Sequence, residues 1–347
     1  TCMVISESTQ KTLRIPEVHL MRRRKGISYA KYGYIFSIPF VLVYLIFSLY
    51  PTLFTAVIGF TDFKGLGRTD FNFLENPLQN FVQVLKNPSF QKALGNTVLI
   101  WTLNFIPQIL LALLLTAWFT SNRRKIKGQG LFKVLFYMPN IITAATIAIL
   151  FSSLFGYPIG PINSIFQKLG LSKEPIYFLL NKSVARGIVA FIQFWMWYGY
   201  TMIVFIAGVL GINPELFEAA EIDGASSRQT FFRITLPNIR TIMLFTLVTS
   251  LVGGLNMFDI PKLFQNGGPD NATLTAAVFI YNQAFSGSYL YNRAAAASMI
   301  MFVIILICSS AIFFILRDKD AVLQRKLEKK HKKALRKAEK EARRVAV

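Results

Sequence analysis

Six long apolar stretches decide which solvent this chain can fold in. They run from Tyr34 to Thr55, Thr97 to Phe119, Leu131 to Phe155, Val184 to Val209, Ile242 to Ile260 and Ala294 to Leu316, each rich in Leu, Ile, Val or Phe. A helix that crosses a bilayer needs about 20 mostly apolar residues, because the hydrocarbon layer is roughly 30 Å thick and offers the backbone no hydrogen-bond partners. Each stretch meets that length. With 53% hydrophobic residues, 32 Phe and only 16% charged residues, a soluble fold would leave too much apolar surface in water. The pattern predicts an all-α membrane protein with six transmembrane helices. Pro39, Pro51, Pro107 and Pro139 lie inside or at the ends of the spans, and kinks are expected there. The first span is too long, and too weakly followed by small residues, for a cleaved signal peptide, so it is expected to remain as an anchor.

Lys and Arg concentrate on cytoplasmic flanks, which orients the spans. Placing the N-terminus inside puts Arg22, Arg23, Arg24, Lys25 and Lys31, then Arg123, Arg124, Lys125, Lys127 and Lys133, and the basic tail on the inner side. Both termini then face the cytoplasm. The expected organisation is a basic segment over 1–33, a first transmembrane helix over 34–55, a five-helix core over 93–316 and a basic tail over 317–347. The net charge of +21 could point to nucleic acid, yet most of it falls beside an anionic leaflet, so membrane lipid is the expected partner. Lys329, Lys330, Lys332 and Lys333 with Leu327 and Leu335 suggest a tail helix, solvated or on the membrane surface. Cys2 and Cys308 fall in different compartments, so no disulfide is expected.

Catalytic chemistry finds no support. There is no G-x-x-x-x-G-K-[ST] phosphate loop and no Gly-Lys dipeptide, and His19 and His331 both lie in basic tails without a Cys and His cluster. The chain is expected to be neither an enzyme nor the holder of a cofactor of its own.

Between the fourth and fifth spans lies a charged, half-apolar loop over 213–237. Asn213-Pro214-Glu215 is a helix start: Asn caps, Pro suits the first turn and Glu favours the positive end of the dipole. Leu216, Phe217 and Ala220 should face one side and Glu218 and Glu221 another, until Asp223-Gly224 leaves helical geometry. A second short helix should begin near Ser226 and break at Leu236-Pro237, since a residue before proline disfavours the helical region.

Glu218-Ala219-Ala220, Asp223-Gly224-Ala225 and Leu236-Pro237 at these spacings resemble the coupling loop of ABC import permeases. Over about Asn96 to Leu316 the chain is similar to the binding-protein-dependent carbohydrate permeases, the maltose-type, type I family. One departure is Thr241, where many relatives carry a second proline. The resemblance implies a type I ABC importer permease fold, with Glu218, Ala219, Ala220, Asp223, Gly224, Ala225, Leu236 and Pro237 docking a separate ATPase. It also implies two ABC ATPase subunits that bind ATP and magnesium, a second homologous permease subunit, an extracellular sugar-binding protein and a place in the bacterial cytoplasmic membrane. The first span would then wrap a neighbour, and cargo would cross by alternating access.

A membrane site for a sugar needs aromatic faces and neutral hydrogen-bonding groups rather than countercharges. Asn140 in the third span, Gln193 with Trp195, Trp197 and Tyr198 in the fourth, and Ser250 and Asn256 in the fifth answer that description. Trp and Tyr near span ends also form interfacial belts, and single Asn or Gln residues also tie helices together. By resemblance, the pocket falls near Asn140, Gln193, Met196, Trp197, Gly253 and Asn256. Gly267-Gly268-Pro269 is a turn signal, similar to a loop that sugar permeases carry outside their fifth span. An ion-coupled transporter would need intramembrane carboxylates, and the span interiors lack them apart from Asp259 near an outer end. A type I importer of another solute, such as an amino acid, a polyamine or glycerol phosphate, stays open.

Overall fold

In a computed structural model the described residues are 30–65, 67, 70–121, 127–287, 289–316 and 327–335. Arg22 to Lys25, Arg123 to Lys125, Cys2, His19 and most of the basic tail lie outside them. The first helix, α1, spans Lys31–Ile58. Pro39 sits inside it without a break, and Pro51 follows a π-helical turn at Leu45–Leu49. Proline lacks an N–H and crowds the carbonyl one turn back, and the widened turn before Pro51 lets the helix continue through it.

The described residues from Phe54 onward form one compact unit, and the earlier part of α1 belongs to another. A short helix α2, Gln79–Lys86, leads into α3, Pro88–Phe119. Asn87 starts α3: its Oδ1 accepts from the backbone N–H of Ser89 at 2.9 Å and of Phe90 at 3.4 Å, with Pro88 in the first turn. The helix therefore begins well ahead of Thr97, and Pro107 lies inside it.

The stretch expected as a straight third span is broken. Helix α4, Gln129–Tyr137, passes through a 3-10 turn at Met138–Ile141 and then turns by 88° into α5, Ala144–Leu154. Pro139 stands in that 3-10 turn, Ile142 and Thr143 are extended, and Thr143 caps α5 by accepting from Thr146 N–H at 3.3 Å. A new cap so soon after a proline turns one apolar stretch into two helices.

Helix α6 covers Pro161–Lys168 and α7 covers Lys182–Leu210. Then come α8, Glu215–Ile222; α9, Ser227–Thr230; α10, Arg240–Leu255; α11, Asp259–Gln265; α12, Ala276–Phe285; and α13, Tyr291–Leu316. A further helix over 327–335 is exposed. Among the described residues the only β pairing is a single antiparallel bridge between Thr61 and Phe73.

Helices α3 and α7 form the spine. Ala112, Leu115 and Phe119 of α3 meet Tyr198, Met202 and Phe205 of α7, and Gln108 Nε2 donates to Thr201 Oγ1 at 2.8 Å inside the contact. Lipid removes most of the hydrophobic drive between helices, so close packing and satisfied polar groups hold such pairs together. The end of α4 lies against this spine at Gly199, where a Cβ would sit 2.0 Å from the Phe136 carbonyl oxygen. Helix α5 is held between α7 and α11 by Ile147, Phe151, Ile188, Ile192, Ile260 and Phe264, and Ser152 Oγ donates to the Phe264 carbonyl at 3.1 Å.

The loop over 266–275 is tied to the N-terminal ends of α3 and α7 rather than hanging free. Asn96 Nδ2 donates to the carbonyls of Asn271 and Leu274, and Arg186 Nε donates to that of Ala272 at 2.9 Å. Lys182 and Lys92 both reach the Asp270 carboxylate and hold its pKa below the usual carboxylate range. The segment between α7 and α10 approaches the other end of α3, near Trp118 and Ser121. The two loops thus mark opposite faces of the unit.

Candidate functional site

On the face at the C-terminal end of α3, Asn213 organises the start of α8. Its Oδ1 accepts from Glu215 N–H at 3.1 Å and its Nδ2 donates to Glu215 Oε2 at 3.0 Å. Ala220 is buried and Phe217 half-buried, while Glu218, Ala219, Glu221, Asp223 and Gly224 are exposed. Leu216, expected beside Phe217 and Ala220, is 44% exposed at the edge of that face, and Ile222 is 87% exposed. The helix ends at Gly224, whose φ of 72° lies in the left-handed region, with Ala225 N–H donating back to the Ala220 carbonyl at 2.9 Å.

A reciprocal capping box begins α9: Gln229 N–H donates to Ser226 Oγ at 3.3 Å and Ser226 N–H to Gln229 Oε1 at 2.7 Å. The break expected at Leu236-Pro237 does not occur there. Leu236 is helical, with φ −61° and ψ −44°, because a π turn at Phe231–Thr235 makes room for the Pro237 ring, as the one before Pro51 does. The chain turns instead at Ile239, before α10.

Part of the inner side of this knob borders a cavity rather than α3. A cavity of about 670 Å³ separates it from α3, with Leu110, Leu114 and Trp118 on one wall and Phe217, Phe231 and Leu236 on the other.

A second cavity, of about 440 Å³, lies among α3, α7, α10 and the break at 256–258. Gln193, Met196, Trp197, Gly253 and Asn256 all line it. Asn140 does not: its Nδ2 donates to the Met196 carbonyl at 3.2 Å, behind the cavity wall. Trp195 and Tyr198 also point elsewhere, Trp195 to Phe151 at 6.0 Å between ring centroids and Tyr198 to Phe194 at 5.6 Å.

Trp197 and Tyr200 meet edge to face at 5.8 Å, a wall suited to stacking. Trp101 of α3 also lines the cavity, a residue outside the expected pocket set. It stacks on Phe105 at 5.3 Å, its Nε1 donates to Ser250 Oγ at 3.2 Å, and a Cβ on Gly254 would lie 2.0 Å from its ring. Asn104 and Gln108 line the cavity on the same helix. The spacing of Trp101, Asn104 and Gln108 is that of one helical face, a signal present in the second span.

Asn140→Ala removes the bond to Met196 and should cost about 1 kcal/mol of stability. The KM for cargo should stay within about twofold, because the side chain lies outside the cavity. Thermal unfolding beside transport kinetics checks this; a tenfold rise in KM at unchanged stability would place Asn140 on the cargo.

Residues 84–321 match the family described as the inner membrane component of binding-protein-dependent transport systems. The chain belongs to this family. This inner membrane permease is 30% identical over 289 residues to the lactose transport system permease protein LacF of Rhizobium radiobacter, covering 83% of this chain and 94% of the relative. It is 32% identical over 283 residues to the arabinooligosaccharides transport system permease protein AraP of Bacillus subtilis, covering 80% and 85%. Among solved structures, a bacterial ABC transporter involved in the import of the acidic polysaccharide alginate has a chain that superposes with a TM-score of 0.70 at 25% identity. That match covers 84% of this chain and 96% of the other. The permease is thus a multi-pass membrane component of a binding-protein-dependent transport system with the type I importer fold. The knob over 213–239 and the central cavity both lie within the matched region.

Proposed function

We propose that this permease carries a sugar or oligosaccharide across the bacterial cytoplasmic membrane by alternating access, powered by ATP that other subunits bind with magnesium and hydrolyse. The observation that carries the reading is the central cavity, where Trp101, Trp197 and Tyr200 offer faces for sugar rings and Gln193 and Asn256 offer amides for hydroxyls. The relatives named for lactose and arabinooligosaccharide transport support the same cargo class. Glycerol phosphate or an amino acid would need a basic group for its phosphate or carboxylate, and no Lys or Arg lines the cavity among the described residues.

The exposed knob, with Glu218 and Ala219 outward above a cavity, is the surface for an ATPase subunit on the cytoplasmic side; the loop over 266–275 then faces the outer sugar-binding protein. Both termini are cytoplasmic on this assignment, in keeping with the distribution of Lys and Arg. Two ATPases, a second homologous permease and the binding protein complete the transporter. ATP binding closes the ATPases and draws the knobs together, opening the cavity outward; hydrolysis returns it inward.

Reconstituted vesicles test the assignment. Trp197→Ala and Gln193→Ala should each raise the KM for sugar uptake by about tenfold, the loss expected for a stacking face or a directional hydrogen bond. Subunit assembly should be unchanged, since Trp197 is 43% exposed to the cavity rather than packed in the spine. Equal losses of assembly and uptake would assign both residues to packing.

A further inference from the structure

We infer that Asp259 sets the charge preference of the central cavity, so that the permease accepts uncharged oligosaccharides and rejects those bearing carboxylates; this rests on the sugar reading. Asp259 opens α11 immediately after the break at 256–258 and lines the cavity with an exposed side chain. Among the described lining residues it is the only acid, and no Lys, Arg or His stands with it. Its helix carries one cation, Lys262, which is engaged elsewhere: Nζ donates to Asn282 Oδ1 at 2.8 Å and stands 4.6 Å from the centroid of the Tyr281 ring. The other acid at this end, Asp270, is held by Lys92 and Lys182. Those are the only ion pairs among the described residues, and neither involves Asp259.

An unpaired carboxylate in a membrane cavity acts in two ways. It accepts hydrogen bonds through both oxygens, which suits a pair of neighbouring sugar hydroxyls. It also repels a second carboxylate brought within a few ångströms of it. The alginate importer, named for an acidic polysaccharide, shares the fold at 25% identity. On this inference the two transporters differ in cargo charge, since charge discrimination depends on the side chains of the cavity and not on helix arrangement.

The test uses the purified complex of both permeases with their ATPases, without the outer binding protein, so that discrimination by that protein is absent. Lactose and lactobionate, and arabinotriose and its aldonate, form neutral and acidic pairs of matched size, and their binding is followed by tryptophan fluorescence from Trp101 and Trp197. At least one neutral probe should bind the wild type about tenfold or more tighter than its acidic partner, as expected for a like-charge contact. Asp259→Asn should bring the two affinities within about twofold, and Asp259→Lys should reverse the preference. Unchanged discrimination in both variants, or tighter binding of the acid by the wild type, would overturn the inference while leaving the sugar reading in place. No binding of any probe, joined with no uptake of neutral sugars by the complete transporter, would overturn the sugar reading itself.

Discussion

Alanine at Gly199 is expected to destabilise the permease more than any other single methyl group added to α7. A Cβ there would lie 2.0 Å from the Phe136 oxygen, 2.7 Å from the Phe136 carbonyl carbon and 3.0 Å from Tyr137 Cα. All three are backbone atoms, so no side chain can rotate aside, and relief requires the end of α4 to move. That end feeds directly into the 3-10 turn and the 88° bend. Shifting it also strains the Asn140 bond to Met196 and the edge contact of Phe136 with Tyr198 at 6.3 Å. Overpacking against backbone should cost about 3 kcal/mol or more. Thermal unfolding of the purified subunit and its yield as a single species in detergent measure the effect. Gly187→Ala is the control, since a Cβ at that position of α7 meets nothing within 4 Å. It should be neutral or stabilising by up to about 1 kcal/mol, the helix-propensity gain of alanine over glycine. If the two variants unfold alike, α4 does not contact α7 at Gly199.

That contact also explains why the third span was not legible as a broken one. Leu131 to Phe155 is apolar on both sides of Pro139, and composition cannot tell a straight crossing from two helices. The angle is fixed by Gly199 on α7, far away in sequence, and by the Thr143 cap, which only becomes a cap once the chain has turned. The spans themselves were legible because hydrocarbon thickness imposes a length, and the knob because its signals are local. Asn213 beside Pro214, Asp223 beside Gly224, and Ser226 three residues before Gln229 each act within one turn of helix. The rule for Leu236-Pro237 states a preference of the residue before proline, and here it is overridden: Leu236 stays helical, while the π turn removes the separate clash of the proline ring with the carbonyl one turn back. Of the central cavity, Gln193, Met196, Trp197, Gly253 and Asn256 could be read, but Tyr200 beside them and Asp259 beyond the break could not, because only the packed helices bring them to the same wall. Trp101, Asn104 and Gln108 of α3 were not legible as part of it because they stand within a span whose composition accounts for them as membrane helix, and only their shared face sets them apart.

Glu218→Ala should leave a folded permease that no longer couples. Glu218 is exposed in the first turn of α8, so its loss removes no core packing, and the change in unfolding free energy should stay within about 0.5 kcal/mol. The residues that hold α8 in place are others: Asn213 at its start, Phe217 and Ala220 on its inner face, and Gly224 at its end. If the knob is the surface an ATPase grips, a charge beside the small exposed Ala219 sits where a partner must approach the helix backbone closely. Removing such a contact should lower binding-protein-dependent uptake and sugar-stimulated ATP hydrolysis together, by about tenfold or more. Sugar affinity of the central cavity should not change, because Glu218 is not part of its lining. Measuring unfolding, sugar binding and ATP hydrolysis on the same purified complex separates the possibilities. A loss of coupling with the first two intact places the defect at the ATPase contact. Uptake and stimulated hydrolysis at wild-type levels would show that the force enters the permease elsewhere, and the cavity between the knob and α3 would then have no part in transmitting it.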